Sequence, residues 1–188
     1  MSKSQTSTRE GLVRSATRTL TSQPGASLEE IAKRAGVGRA TLHRHFGSRN
    51  GLIRELALAA LEETDRATAQ IPWDTTAVEM LRATLEAVVP LGDRYHFLSQ
   101  ELETLKDPDI VAATQRQLKG LGDLVAAVKQ EGKLAQDVPD AWTLAALDAL
   151  IYAAWSSVHE GWVARREAPG LVLRTILEGL GPRNPVSG

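Results

Sequence analysis

The chain has 188 residues, 43% of them hydrophobic, no cysteine, and a formal net charge of −1. That length suits one compact unit or a small domain joined to a larger one, and the missing cysteines exclude a disulfide framework and a thiolate metal site. The near-neutral total hides an asymmetry. Residues 1–54 hold ten Lys/Arg against three acids, a balance of +7, while the remaining 134 residues hold twelve against twenty, a balance of −8. A basic first third on an acidic remainder is the footprint of a chain that meets a polyanion with one end. The plainer alternative is a solvated basic face. Residues 1–8 are polar, so no signal peptide is visible and a cytoplasmic protein is expected.

Ser7 and Glu10 have the spacing of a capping box and predict a helix from there to about Ser22, burying Leu12, Val13, Ala16 and Leu20. Pro24-Gly25 is a turn, and Ser27 with Glu30 repeats the capping box. Leu28, Ile31, Ala32 and Ala35 follow at helical spacing, so one face is apolar. Gly36 stops that helix, because glycine tolerates the left-handed conformation of a C-terminal cap. Val37 plugs the turn and Gly38 releases a second short helix. Its Leu42 and Phe46 point inward and leave Arg39, Ala40, Thr41, His43 and Arg44 outside. Such a face suits the DNA major groove: arginine forks onto guanine O6 and N7, and threonine reaches a phosphate or a thymine methyl. Two amphipathic helices about a glycine turn also suit ordinary bundle packing, and the charge asymmetry favours DNA.

Gly47 ends the pair, and Ser48 caps a fourth helix running from Arg49 to about Gln70, roughly 30 Å long at its rise per residue. Leu52, Ile53, Leu56, Ala57, Ala60 and Leu61 form its apolar stripe. Arg49 lies in the first turn, where a cation is mildly unfavourable unless a phosphate sits against the helix end. Beyond, the pattern stays helical. Asp74 to Val89 is one helix, broken by Pro90 and Gly92, and Asp93 can cap Arg94 to Leu105. Asp107-Pro108 opens a helix to Glu131, Pro139 opens one to about Arg166, and Leu171 to Leu180 closes the chain after Pro169-Gly170. No alternating strand pattern survives, so the fold is all-α with about nine helices.

The run SLEEIAKRAGVGRATLHRHFGSRNGL, flowing into a long fourth helix, resembles the TetR family of transcriptional regulators over about residues 9–61. The last two helices, ending in TILEGLG, look alike in order. The resemblance implies a helix-turn-helix DNA-binding domain at 1–50 and a ligand-binding and dimerisation domain at 51–188, joined through the fourth helix. It implies a homodimeric repressor with one recognition helix in each half-site of a palindromic operator on double-stranded DNA. A small-molecule inducer would release it by moving the fourth helix. Carried over residue by residue, Ser27, Arg39, Ala40, Thr41, His43, Arg44, His45 and Arg49 are the expected DNA-binding positions. Two departures stand out: Gly38 replaces the usual Ser or Thr cap, and His43 replaces the usual tyrosine. A DNA binder without an inducer, or a helical small-molecule binder, is the alternative class.

The segment 141–163 is apolar nearly all round, yet Asp148, His159, Glu160 and the serine pair argue against a membrane span. A buried helix with one face in an interface fits better. Trp142, Ala153 and Ser157 of this helix, with Leu171, Ile176 and Leu180 of the last one, are the expected dimer interface, a four-helix bundle with two-fold symmetry. Met80, Tyr95, Phe97, Leu98, Glu101 and Trp155 are the candidate ligand-binding residues, an apolar set with one carboxylate that suits a lipophilic cation. Aromatics at helical spacing also build plain cores. Asp148 can pair with an arginine, cap a backbone group or face a ligand.

Nothing points to catalysis, a cofactor or a metal. HEGWVARRE at 159–167 lacks the second histidine of a zinc-binding HExxH, since Val163 holds that place. No glycine-rich phosphate loop and no GxSxG elbow occurs.

Overall fold

The computed structural model describes residues 3–72, 74–95, 97–98 and 106–179. Among them it holds eight helices and no strand: α1 Lys3–Ser22, α2 Leu28–Arg34, α3 Arg39–Phe46, α4 Arg49–Thr68, α5 Ala77–Tyr95, α6 Pro108–Gln130, α7 Asp140–His159 and α8 Ala168–Gly179. The contacts divide into two units, one of Met1–Glu62 with Arg94–Val111, the other of Glu63–Asp93 with Ala112–Gly188.

The first unit is held by Leu12, Ala16 and Leu20 of α1, Ile31 and Ala32 of α2, Leu42 and Phe46 of α3, and Leu52, Ile53, Leu56 and Ala57 of α4. α1 begins at Lys3, so Ser7 lies inside the helix and does not cap it. Nothing in residues 3–6 breaks a helix, and cap spacing inside a run of helix-compatible residues is only spacing. Buried Thr17 and Thr19 satisfy their hydroxyls on the carbonyls of Val13 and Ser15, both at 3.0 Å. The start of α6 belongs to this unit. One oxygen of Asp107 accepts from the N–H groups of Asp109 and Ile110 at 3.0 and 3.2 Å and caps the helix. Its other oxygen accepts from Arg54 Nε of α4 at 2.7 Å, and Arg54 also reaches Asp109. That hydrogen bond holds the Asp107 carboxyl below the usual range and raises Arg54.

The second unit packs Ala77, Leu81, Leu85 and Val89 of α5 with Val125 and Val128 of α6, Leu147, Ile151 and Ala154 of α7, and Val172, Leu173 and Ile176 of α8. α5 starts at Ala77 rather than Asp74, because Thr76 and Glu79 form a reciprocal capping box at 3.2 and 3.3 Å. The Glu131 carboxylate also accepts from the N–H groups of Ala77 and Val78. The helix then runs through Pro90, which sequence reading places at a break. Proline inside a helix removes one hydrogen bond and kinks the axis without ending it when packing holds both sides. α7 stops at His159, not at Arg166: Gly161, at φ 75°, closes it, and Trp162 N–H returns to the Ser157 carbonyl at 2.9 Å. α8 begins at Ala168 with Pro169 in its first turn, where a missing N–H costs nothing, so Pro169-Gly170 opens the helix instead of preceding it.

α7 is long and apolar enough to cross a membrane by length and composition. Its Thr143, Leu147, Ile151 and Ala154 are buried in the core of this unit.

Candidate nucleic-acid interface

The helix-turn-helix is built by local chemistry that the sequence spells out. Ser27 Oγ accepts from Glu30 N–H at 3.2 Å, and the Glu30 carboxylate accepts from Ser27 N–H at 2.7 Å. Those bonds hold the Glu30 carboxyl below its ordinary range. Gly36 at φ 69° turns the chain, and Val37 N–H closes back on the Ala32 carbonyl at 3.0 Å. Gly38 caps α3 with extended backbone and no side-chain bond.

Within α3, Leu42 and Phe46 are buried, which fixes the rotation of the helix. Arg39, Ala40, His43 and Arg44 are exposed on the outer face, with Thr41 and His45 half-buried at its edges. His45 lies beside Phe46, the ring centroids 6.1 Å apart, so it flanks the outward face instead of centring it. Ser48 Oγ caps α4 by accepting from Gly51 N–H at 3.1 Å. Arg49 donates to the Pro24 carbonyl at 3.1 Å, tying the start of α4 to the α1–α2 turn. Ser27 and Arg49 therefore have structural partners in the places where a phosphate contact is expected.

Two features escape sequence reading. Arg9 lies 5.7 Å from the centre of the Phe46 ring and pairs with Glu55 at 2.9 Å, bracing α1 against α3 and α4. Gly51 meets α3 so closely that a Cβ there would stand 2.0 Å from the Phe46 carbonyl oxygen. No spacing rule marks either, since both depend on how separate helices approach.

Against known proteins, residues 14–56 match the family described as bacterial regulatory proteins, tetR family. The repressor LfrR of Mycolicibacterium smegmatis is 28% identical over 182 residues, covering 92% of this chain and 90% of LfrR. These matches support a TetR-family regulator. The regulator UidR of Escherichia coli K12 is 24% identical over 164 residues, with 82% of each chain covered. The crystal structure of LfrR in complex with proflavine shares the fold at a TM-score of 0.76 and 24% identity, over 94% of this chain and 99% of that one. On those matches the protein is a DNA-binding transcriptional regulator and not an enzyme. TetR-family regulators bind operator DNA and act as dimers.

The candidate ligand residues are divided between the two units. Tyr95, Phe97 and Leu98 pack with the core of the first unit, the latter two buried. Met80 and Trp155 lie in the second unit, and Glu101 lies outside the described residues. Of the candidate interface residues, Trp142 is 62% exposed and Leu171 37% exposed. Ala153 is also exposed and Ser157 half-buried. Ile176 is only 1% exposed and serves the core of its own unit, so it is corrected from interface to interior. Leu180 lies outside the described residues.

Proposed function

We propose that this TetR regulator is a homodimeric repressor that sets α3 of each protomer in the major groove of a palindromic operator and leaves it when a small lipophilic molecule enters the second unit. One observation carries the reading: Leu42 and Phe46 lock α3 so that Arg39, Ala40, His43 and Arg44 face outward together. LfrR with bound proflavine supports the inducer class. The solved KstR2 of Mycobacterium tuberculosis, a ketosteroid transcriptional regulator with a TM-score of 0.70, supports it further. Operator binding places the working protein in the cytoplasm.

A second copy is the partner that fits α7. Its outer side carries Trp142, Ala145, Ala149, Tyr152 and Ala153, all exposed, and Leu171 of α8 is exposed as well. An apolar stripe of this kind on a soluble regulator is an association surface. Asp148 stands at its edge, where desolvation by burial raises its carboxyl. A carboxyl raised in the folded state contributes stability that is full below its unfolded value near ~3.9 and is lost as pH rises through the folded value. Asp148→Asn is therefore expected to melt above the parent at pH 7, with the gap closing near pH 4. A gap of the same size at both pH values would show that ionisation of Asp148 is not its source.

The function is tested by binding to DNA upstream of the protein's own gene across a salt series, beside random DNA. Selective binding is expected, with a steep salt slope that falls by about one unit per half-site in Arg49→Ala on all sequences alike. Equal affinity for upstream, random and selected DNA pools would overturn the operator reading. Release from the operator by proflavine tests the inducer class.

A further inference from the structure

Resting on the ligand reading above, we propose that the indole N–H of Trp155 is the anchoring donor of the effector site, and that the effector is a flat, uncharged ring system with a hydrogen-bond acceptor in its plane, a ring nitrogen or a carbonyl.

Trp155 sits on α7 and its ring lies directly on the backbone of α5 at Gly92. A Cβ at that position would stand 2.0 Å from Cγ, 2.1 Å from Cδ1 and 2.3 Å from Cδ2 of the indole. Only glycine admits the ring there, so the indole is seated by the fold. Its Nε1 is buried and has no hydrogen-bond partner. The ring packs against the apolar core of the second unit. A buried donor without an acceptor is costly, and native chains keep few of them. Phenylalanine would fill nearly the same space without that cost. A seated tryptophan therefore points to an acceptor that arrives from outside.

Pro90 lies two residues before Gly92 and has no N–H, so the carbonyl of Glu86 lacks its helical donor. The same stretch of α5 thus combines a helix irregularity with the seat of the ring, the kind of place where a helix yields to a ligand.

Charge separates this ligand class from a lipophilic cation. A protonated ring nitrogen is itself a donor and cannot accept from the indole N–H, so it gains nothing from Trp155.

The probes are acridine, whose ring nitrogen is a free acceptor at pH 7.5, and proflavine, whose ring nitrogen is protonated there. In the full chain, Trp155→Phe is expected to weaken acridine about three- to tenfold and to leave proflavine unchanged. In protein labelled with nitrogen-15 at tryptophan, the indole signal that disappears in Trp155→Phe is expected to move downfield on adding acridine. Thermal melting checks that Trp155→Phe is folded. Acridine binding unchanged by Trp155→Phe, with a still indole signal, overturns the donor and leaves the ligand site standing. Equal losses for both probes would mean the ring acts by shape alone and would also overturn the donor. A chain that binds neither probe overturns the ligand reading and this assignment with it.

Discussion

Arg44→Ala is expected to cost about 1–3 kcal/mol at each half-site, about 2–6 kcal/mol for the dimer, and to relax base preference at one position of each half-site. Arg44 is exposed on α3, one turn beyond Ala40 and beside His43, while Leu42 fixes the helix from behind. Truncating an exposed side chain of this kind leaves the fold within about 0.5 kcal/mol, so a loss of binding is read as a loss of contact. Arg44→Lys separates the two ways an arginine meets DNA. Lysine keeps the charge but not the planar fork. If Arg44 reads a guanine, Arg44→Lys retains affinity for random DNA and loses selectivity. If Arg44 touches phosphate only, Arg44→Ala weakens every sequence equally and the base preference is unchanged. Quantitative binding to a set of operators varied at one position at a time decides between these results.

The DNA-reading half was legible because its signals are local. Two capping residues, two glycines and a pair of inward apolar residues lie within twenty residues of one another, and the structure places Ser27, Glu30, Gly36, Leu42 and Phe46 as that spacing requires. Errors gathered where local signals compete with packing. Pro90 reads as a break, but Leu85 and Val89 on one side and Gly92 on the other are held by the core, and the helix continues. Pro169-Gly170 reads as lying before the last helix, yet a proline in a first turn is a helix start. The ligand set was the least legible part. Phe97 and Leu98 are apolar residues in a stretch of helical pattern, which says that they are buried and not in which unit. The chain returns them to the first unit, whose core they complete. Trp155 was legible as an aromatic in an apolar helix, while its orphaned N–H and its seat on Gly92 exist only once α5 and α7 are packed.

Gly51→Ala is expected to destabilise the first unit by about 2 kcal/mol, although alanine is the better helix former. In an exposed helix interior, glycine to alanine gains about 1 kcal/mol. Gly120 in α6 has nothing within 4 Å of a built Cβ, so Gly120→Ala should show that gain. At Gly51 the same methyl would stand 2.0 Å from the carbonyl oxygen of Phe46 and 3.2 Å from its carbonyl carbon. These are backbone atoms, which cannot rotate away as a side-chain tip can. The Phe46 carbonyl also accepts from Ser48 N–H at 2.8 Å, so moving it disturbs the turn that joins the recognition helix to α4. Forcing a group into such a site costs about 1–3 kcal/mol and at times more, enough to reverse the gain from propensity. Amide hydrogen exchange reads the result locally: Gly51→Ala should lose protection at Leu42, Phe46, Leu52 and Ile53, whereas Gly120→Ala should lose none. Operator affinity should fall with it, because α3 is held in place from this turn. Protection equal to the parent in Gly51→Ala would mean that α4 moves away from α3 at no cost and that the close approach does not constrain the recognition helix.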